Sequence, residues 1–176
     1  MTEPPDRGSN FDRHQTATAY IISRGRTLLL WHGHLKMWLP PGGHCEVNED
    51  PVQAAVREAR EESGLEVEVI APPDLLVCSG PLVLPPPAVI LVEDIVRDDQ
   101  PFHQHIDHVY FTHASGPADF ETPIPHGMHQ WVGAAELGQP FSLAAPDGTL
   151  VPVAEDVRLL GIRAIAAAAA KGLARA

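Results

Sequence analysis

The stretch Gly43–Leu65, GHCEVNEDPVQAAVREAREESGL, constrains this chain more than any other. Its second half carries the signals of one short helix. Asp50 is suited to cap it, and Pro51 fits the first turn, where a missing N–H costs nothing. Gln53 completes an Asp-x-x-Gln capping box. Val52, Ala55, Val56 and Ala59 recur at helical spacing and form an apolar stripe that needs a sheet to cover it. Gly64 offers the left-handed exit. Against this economy, Glu58, Glu61 and Glu62 crowd the last two turns. Residues at i, i+3 and i+4 share a side, and the helix dipole there already disfavours negative charge. A hard divalent cation turns that repulsion into a site, and a carbonyl at Gly43 can add a further oxygen. Arg57 lies four residues before Glu61 and can pair with it. The alternative reading is a solvated charge run.

The flanks read as strands. Thr16 to Ser23 and Thr27 to Trp31 form a hairpin through Arg24-Gly25-Arg26, after a polar arm over residues 1–13. Met37 to Leu39 is a short extended piece, stopped by Pro40-Pro41-Gly42-Gly43. Val67 to Ile70, Leu75 to Ser79, Ala88 to Val96 and His108 to Thr112 are further strand candidates. Residues 114–129 read as loop, Trp131-Val132 as a return to the core, and Ala134 to Leu137 as one helical turn. Val153 to Ala174 predicts a closing helix, packed on or beside a domain spanning residues 14–150. Strands dominate and the order is not strictly βαβ, which favours helices layered on a sheet over a doubly wound fold.

Charge narrows the partners. The 12 Lys+Arg against 23 Asp+Glu give a formal charge of -11, which repels long polyanions and argues against a nucleic-acid polymer. A small phosphorylated ligand stays compatible, because a cation neutralises it locally. Cys45 and Cys78 show no zinc or redox spacing and read as reduced thiols of a cytoplasmic chain. The first residues lack the apolar core of a signal peptide, and the longest apolar run, Ile162 to Ala170, is too short for a bilayer.

The box closely resembles the signature of the Nudix hydrolase family: Gly, five residues, Glu, seven residues, Arg-Glu, an apolar residue, any residue, Glu-Glu, any residue, Gly, an apolar residue. Gly43, Glu49, Arg57, Glu58, Ala59, Glu61, Glu62, Gly64 and Leu65 satisfy it at every fixed position. Trp38 to His44 resembles the usual entry to the box, with one extra proline, and Trp131-Val132 before Glu136-Leu137 resembles the closing segment. The resemblance covers roughly residues 16–140. It implies an α/β fold, an α/β/α sandwich around a mixed sheet. It also implies Mg²⁺- or Mn²⁺-dependent hydrolysis of a diphosphate linkage in a nucleoside diphosphate or triphosphate derivative. By position, Glu58 and Glu62 are implied metal ligands and Glu61 a further ligand or water-orienting residue. Gly43 is the implied carbonyl ligand, Arg57 orients Glu61, and Glu49 orients or bridges. Many members carry an acid shortly before the closing tryptophan. Residues 125–130 hold none here, so Glu121, then Asp119, are the nearest upstream candidates for a base, and a box glutamate is the alternative. A two-fold homodimer is a family expectation. A catalytically silent nucleotide-binding regulatory domain is the competing function, disfavoured because no box carboxylate is missing.

Two features lie outside the box. His103, His105 and His108 cluster with Asp107, and strand alternation puts His105 and Asp107 on one face and His108 on the other. A His/Asp zinc site, substrate contacts and ordinary strand hydrogen bonding are all open readings. His32, His34 and His44 flank the box loop. Among the aromatics, Trp38 is the first choice for stacking on a ligand, because it directly precedes that loop.

Overall fold

The computed structural model describes residues 11–97, 100–116, 118 and 120–173. The hairpin opens the fold. β1 (Asp12–Ser23) turns through Arg24 and Gly25, at φ 44° and 72°, into β2 (Arg26–His32). β3 (Met37–Leu39) and β4 (Gly42–His44) lead to α1 (Pro51–Ser63), followed by β5 (Val67–Val69). β6 (Val89–Arg97) and β7 (Gln100–Ala114) form the next antiparallel pair. β8 (His129–Gly133), α2 (Ala134–Leu137), the small pair β9 (Ser142–Ala144) and β10 (Leu150–Pro152), and α3 (Glu155–Ala170) complete the order.

One mixed sheet of eight strands organises these elements. Its spine runs β3-β2-β1-β7-β5, with β4 on β1, β6 on β7 and β8 on β2. β1 and β7 pair in parallel from Asp12↔His103 to Ile22↔His113, although about ninety residues separate them in sequence. The other pairings are antiparallel. Alternation along β1 divides the core in two. Ala17, Ala19 and Ile21 face α1 and meet its Ala54, Ala55 and Ala59. Tyr20 and Ile22 face the other way, onto Val157, Leu160 and Ala164 of α3. Helices thus cover both faces of a mixed sheet, which is an α/β/α sandwich. Ile21 and Leu28 are 0% exposed, and burying each such side chain contributes about 1.5–3 kcal/mol. Small alanines opposite small alanines let α1 approach the sheet closely, which brings its acidic end to β4.

Several expectations shift. β1 starts at Asp12, inside the expected arm, because parallel pairing with β7 supplies its backbone bonds; residues 1–10 lie outside the described set. Leu75 to Ser79 is no strand. Prolines at 72, 73, 81, 85, 86 and 87 remove ladder donors on both sides, and Leu76 and Val77 stay exposed. β7 is longer than the expected His108 to Thr112 and takes in the whole histidine cluster. α3 runs from Glu155 to Ala170, shorter than expected at both ends, with no side-chain cap at Ala154. No helix is long and apolar enough to cross a membrane among the described residues.

Candidate active site

The box helix begins as its sequence dictates. Asp50 Oδ1 accepts from the N–H groups of Val52 and Gln53, both at 2.9 Å, and Gln53 Oε1 accepts from the Asp50 N–H at 3.0 Å. Gly64, at φ 73°, ends it by donating to the Arg60 carbonyl at 2.8 Å. This cap geometry sets the helix axis, and hence the direction in which the acidic turns point.

Arg57 is the hub of those turns. Its guanidinium grips Glu49 in a fork, Nε to Oε1 at 2.9 Å and Nη2 to Oε2 at 3.0 Å. Nη1 also donates to Glu58 Oε1 at 2.7 Å and to Glu61 Oε2 at 3.1 Å, and Nη2 to the His44 carbonyl at 3.0 Å. Paired, charge-assisted bonds of this kind are the strong ones. They hold the Glu49 carboxyl below its usual range. Arg57 therefore orders three carboxylates and the incoming loop, a wider role than orienting Glu61.

Glu62 is set from the opposite side. Its Oε2 accepts from the Gly42 N–H at 3.2 Å, and its Oε1 lies 3.2 Å from His126 Nδ1. His126 Nε2 is 3.2 Å from the Trp31 carbonyl, which can only accept, so that nitrogen carries a hydrogen and Nδ1 is turned on Glu62. The His126 N–H also donates to the Glu62 carbonyl at 3.0 Å. Burial pushes the Glu62 carboxyl up, opposite in sign to Glu49.

The two glycines of the turn are explained by what crosses them. A Cβ on Gly42 would stand 2.8 Å from the Ala17 carbonyl oxygen, and one on Gly43 would strike the Glu58 carboxylate. Only glycine lets β4 thread between β1 and α1 here. A cavity of about 480 Å³ opens beside this turn, between the sheet and α3. Gly42, Gly43, Glu62 and His126 stand on one wall, and Glu93 and Asp107 on another. Burial pushes the carboxyls of Glu93 and Asp107 up, and Thr16 Oγ1 donates to Asp107 at 3.1 Å.

The donor set fits a hard divalent cation. Glu58 and Glu62 approach the Gly42-Gly43 backbone from the helix side, and the collision at Gly43 shows how closely a carboxylate and that backbone meet.

The family model of the NUDIX domain matches residues 12–154. The chain belongs to the NUDIX family. A NUDIX-family hydrolase structure from Clostridium perfringens is 30% identical and covers 89% of this chain and 98% of its own, with a TM-score of 0.64. Among curated relatives, the human m7GpppN-mRNA hydrolase NUDT17 is 35% identical over 69 residues, 36% of this chain and 20% of that protein. A Lactococcus lactis protein named as a probable DHNTP pyrophosphohydrolase is 34% identical over 55 residues, 31% of this chain and 33% of its own. The chain thus spans a third or less of the length of these two curated relatives.

On this Nudix frame the structure gathers Gly43, Glu49, Arg57, Glu58, Glu61 and Glu62 and leaves other candidates outside. Glu121 sits on an exposed turn and does not line the cavity; Asp119 lies outside the described residues. Trp38, the first choice for stacking on a ligand, is 1% exposed and packs in the α3-side core. Pairing of β3 with β2 turns its side chain inward. The residue that sequence reasoning missed is His126. It lies within residues 125–130, just before Trp131, where the family pattern points to an acid and this chain carries histidine instead.

Proposed function

We propose that this Nudix protein hydrolyses a diphosphate linkage in a small, nucleotide-derived substrate with Mg²⁺ or Mn²⁺. The observation that supports this most is the complete box, whose Glu62 and Gly43, with Gly42, line the cavity while Arg57 gathers Glu49, Glu58 and Glu61 behind them. Glu58, Glu61, Glu62 and the Gly43 carbonyl would hold the cation. When bound, it neutralises phosphate oxygens and makes water a better nucleophile.

The chain's own residues do the rest. Water attacks one phosphorus, a new P–O bond forms, and the bridging P–O bond breaks toward the leaving phosphate. The proton released passes to a box carboxylate and on to solvent. Arg57 holds Glu49, Glu58 and Glu61 in place, so little reorganisation is needed. The His126 backbone N–H, bonded to the Glu62 carbonyl, ties the loop before β8 to the end of α1. The acidic wall of Glu93 and Asp107 disfavours additional phosphates deep in the cavity and suits hydrogen-bond donors, such as the amino and imino groups of a base. The formal charge of -11 supports a small substrate over a polymer.

A product assay over nucleoside triphosphates, nucleotide sugars and dinucleotides, with each metal, tests the reading. Turnover of at least one class, dependent on added metal, is the expected result. Tight binding of an intact nucleotide with no products would instead favour a silent sensor.

A further inference from the structure

The histidine cluster is not what the sequence grouping suggests. His108 leaves it, pointing to the α1-side face with its Nε2 2.8 Å from Gln15 Oε1. Asp107 is occupied by Thr16. His14 enters, because the parallel register sets it directly opposite His105, with His103 two residues away on the same face. His44 joins from the other side of β1, since β4 pairs His44 with Thr16, which shares the His14 face. Four imidazoles from three strands therefore converge on one patch. Ring centroids are 4.6 Å apart for His14 and His103, 5.2 Å for His103 and His105, and 4.8 Å for His44 and His105.

We propose that His14, His103 and His105, with His44 as a fourth ligand, form a second metal site, distinct from the glutamate box, for a borderline transition ion of the Zn²⁺ class. One ligand atom from each of His14, His103 and His105 lies within 4.8 Å of the others. A tetrahedral ion with bonds of about 2.0–2.1 Å keeps its nitrogens about 3.3 Å apart, so side-chain rotations of roughly an ångström close the trio. His14 Nδ1 and His44 Nε2 are already 3.2 Å apart.

The hydrogen bonding has the form such a site needs. His103 Nδ1 faces the Pro101 carbonyl at 3.0 Å, which places a hydrogen on Nδ1 and leaves Nε2 with its lone pair, the usual outer support of a metal-bound imidazole. His105 Nε2 is buried and has no hydrogen-bond partner among the described residues. A buried polar nitrogen left so is penalised, and coordination would remove the penalty. Burial, then the neighbouring rings, lower the His105 pKa to about 4, so a proton does not compete for it near neutral pH. A neutral ring is a ligand for a metal and a poor receptor for phosphate. Imidazole nitrogen also discriminates against Mg²⁺, which prefers oxygen, so the two sites select different ions. Since His44 follows Gly43, an ion here would tether the box turn to β1 and β7.

The test uses the full chain without a histidine tag, in excess Mg²⁺. Calorimetric titration with Zn²⁺ should show one saturable ion per chain. Co²⁺ should give the visible absorption of a low-coordinate, nitrogen-ligated ion. His103→Gln and His105→Gln should each weaken Zn²⁺ binding about a hundredfold, the upper end of what losing even an outer partner costs a metal site. His108→Gln should leave it within about threefold, as expected for a residue outside the ligand set. A variant that fails to fold does not decide the matter alone. In the unaltered chain, Zn²⁺ should shift the ring NMR signals of His14, His103 and His105 and leave those of His108 in place. Absence of saturable Zn²⁺ binding, undiminished affinity in both glutamine variants, or loss of the ion in Glu58→Gln with the histidine variants unaffected would each overturn the site.

Discussion

The glutamate box and the histidine patch meet at neighbouring residues, Gly43 and His44, yet they are built in opposite ways. The box is contiguous. Helical spacing alone aligns Glu58, Glu61 and Glu62, and Arg57, on the same helix, holds two of them and Glu49. The patch is dispersed over β1, β4 and β7, and only the sheet register assembles it. The box offers carboxylate oxygens that repel one another until paired; the patch offers imidazole nitrogens, one of which, His105 Nε2, is buried with no hydrogen-bond partner among the described residues. Local periodicity can therefore encode a cluster of carboxylates, whereas a cluster of imidazoles of this type is a property of the tertiary fold.

Glu62→Gln tests the box side most severely. Size and packing survive, but the charge of a proposed ligand is lost. We expect kcat/KM to fall about a hundredfold or more, roughly 3 kcal/mol of transition-state stabilisation, measured under saturating Mg²⁺ on the best substrate of the panel. Metal-free melting should rise, because burial already disfavours the Glu62 charge. Near-normal turnover would remove Glu62 from the metal site.

Arg57→Ala separates geometry from charge. Three carboxylates and the His44 carbonyl lose their shared donor, and a stability loss of about 2–4 kcal/mol is expected by urea denaturation. Because the His44 carbonyl is among them, Zn²⁺ affinity at the patch should also fall. Unchanged affinity would show that the two sites are mechanically independent.

Asp50→Ala deletes the cap bonds to Val52 and Gln53 and should cost about 1 kcal/mol, or roughly 2–4 °C in melting temperature, without altering the metal selectivity of either site.

The pH dependence gives a smaller and signed effect. The Glu49 carboxyl is depressed by Arg57, so its stabilisation is present above the ordinary value of 4.5 and is lost as pH falls through the lower folded value. Glu49→Gln should flatten that acid limb in urea titrations at successive pH values. An unchanged limb would mean that Arg57 holds Glu49 no more tightly than solvent does. Smallest of all, Glu66→Gln breaks only the exposed pair with Arg60 at 3.2 Å and should shift stability by less than about 0.5 kcal/mol, with activity intact. A loss equal to that of Glu62→Gln would show that acidity in general, rather than box geometry, supports turnover.

What could be read from residue order was what short-range geometry governs. Capping at Asp50 and Gly64, the hairpin and the alignment of the three glutamates depend on neighbours within a few positions and appear in the structure, and of the expected stripe Ala55 and Ala59 are buried while Val52 and Val56 pack at its edge. Alternation likewise separated His108 from His105 in advance. Leu75 to Ser79 is apolar enough for a strand, but the prolines around it remove the donors a ladder needs. His126 reaches Glu62 only because the loop before β8 folds back over the end of α1, a contact across more than sixty residues that no local pattern announces. Trp38 looked available for a ligand by sequence proximity, and the pairing of β3 with β2 buried it. The sequence by itself determined the family, the box helix and the order of its charges, since a helix has one period and one set of neighbours. Which histidines meet, which carboxylate faces the cavity and which aromatic is spent on the core were decided by the parallel β1–β7 register and the two helical layers, because long-range pairing sets which side chains share a face.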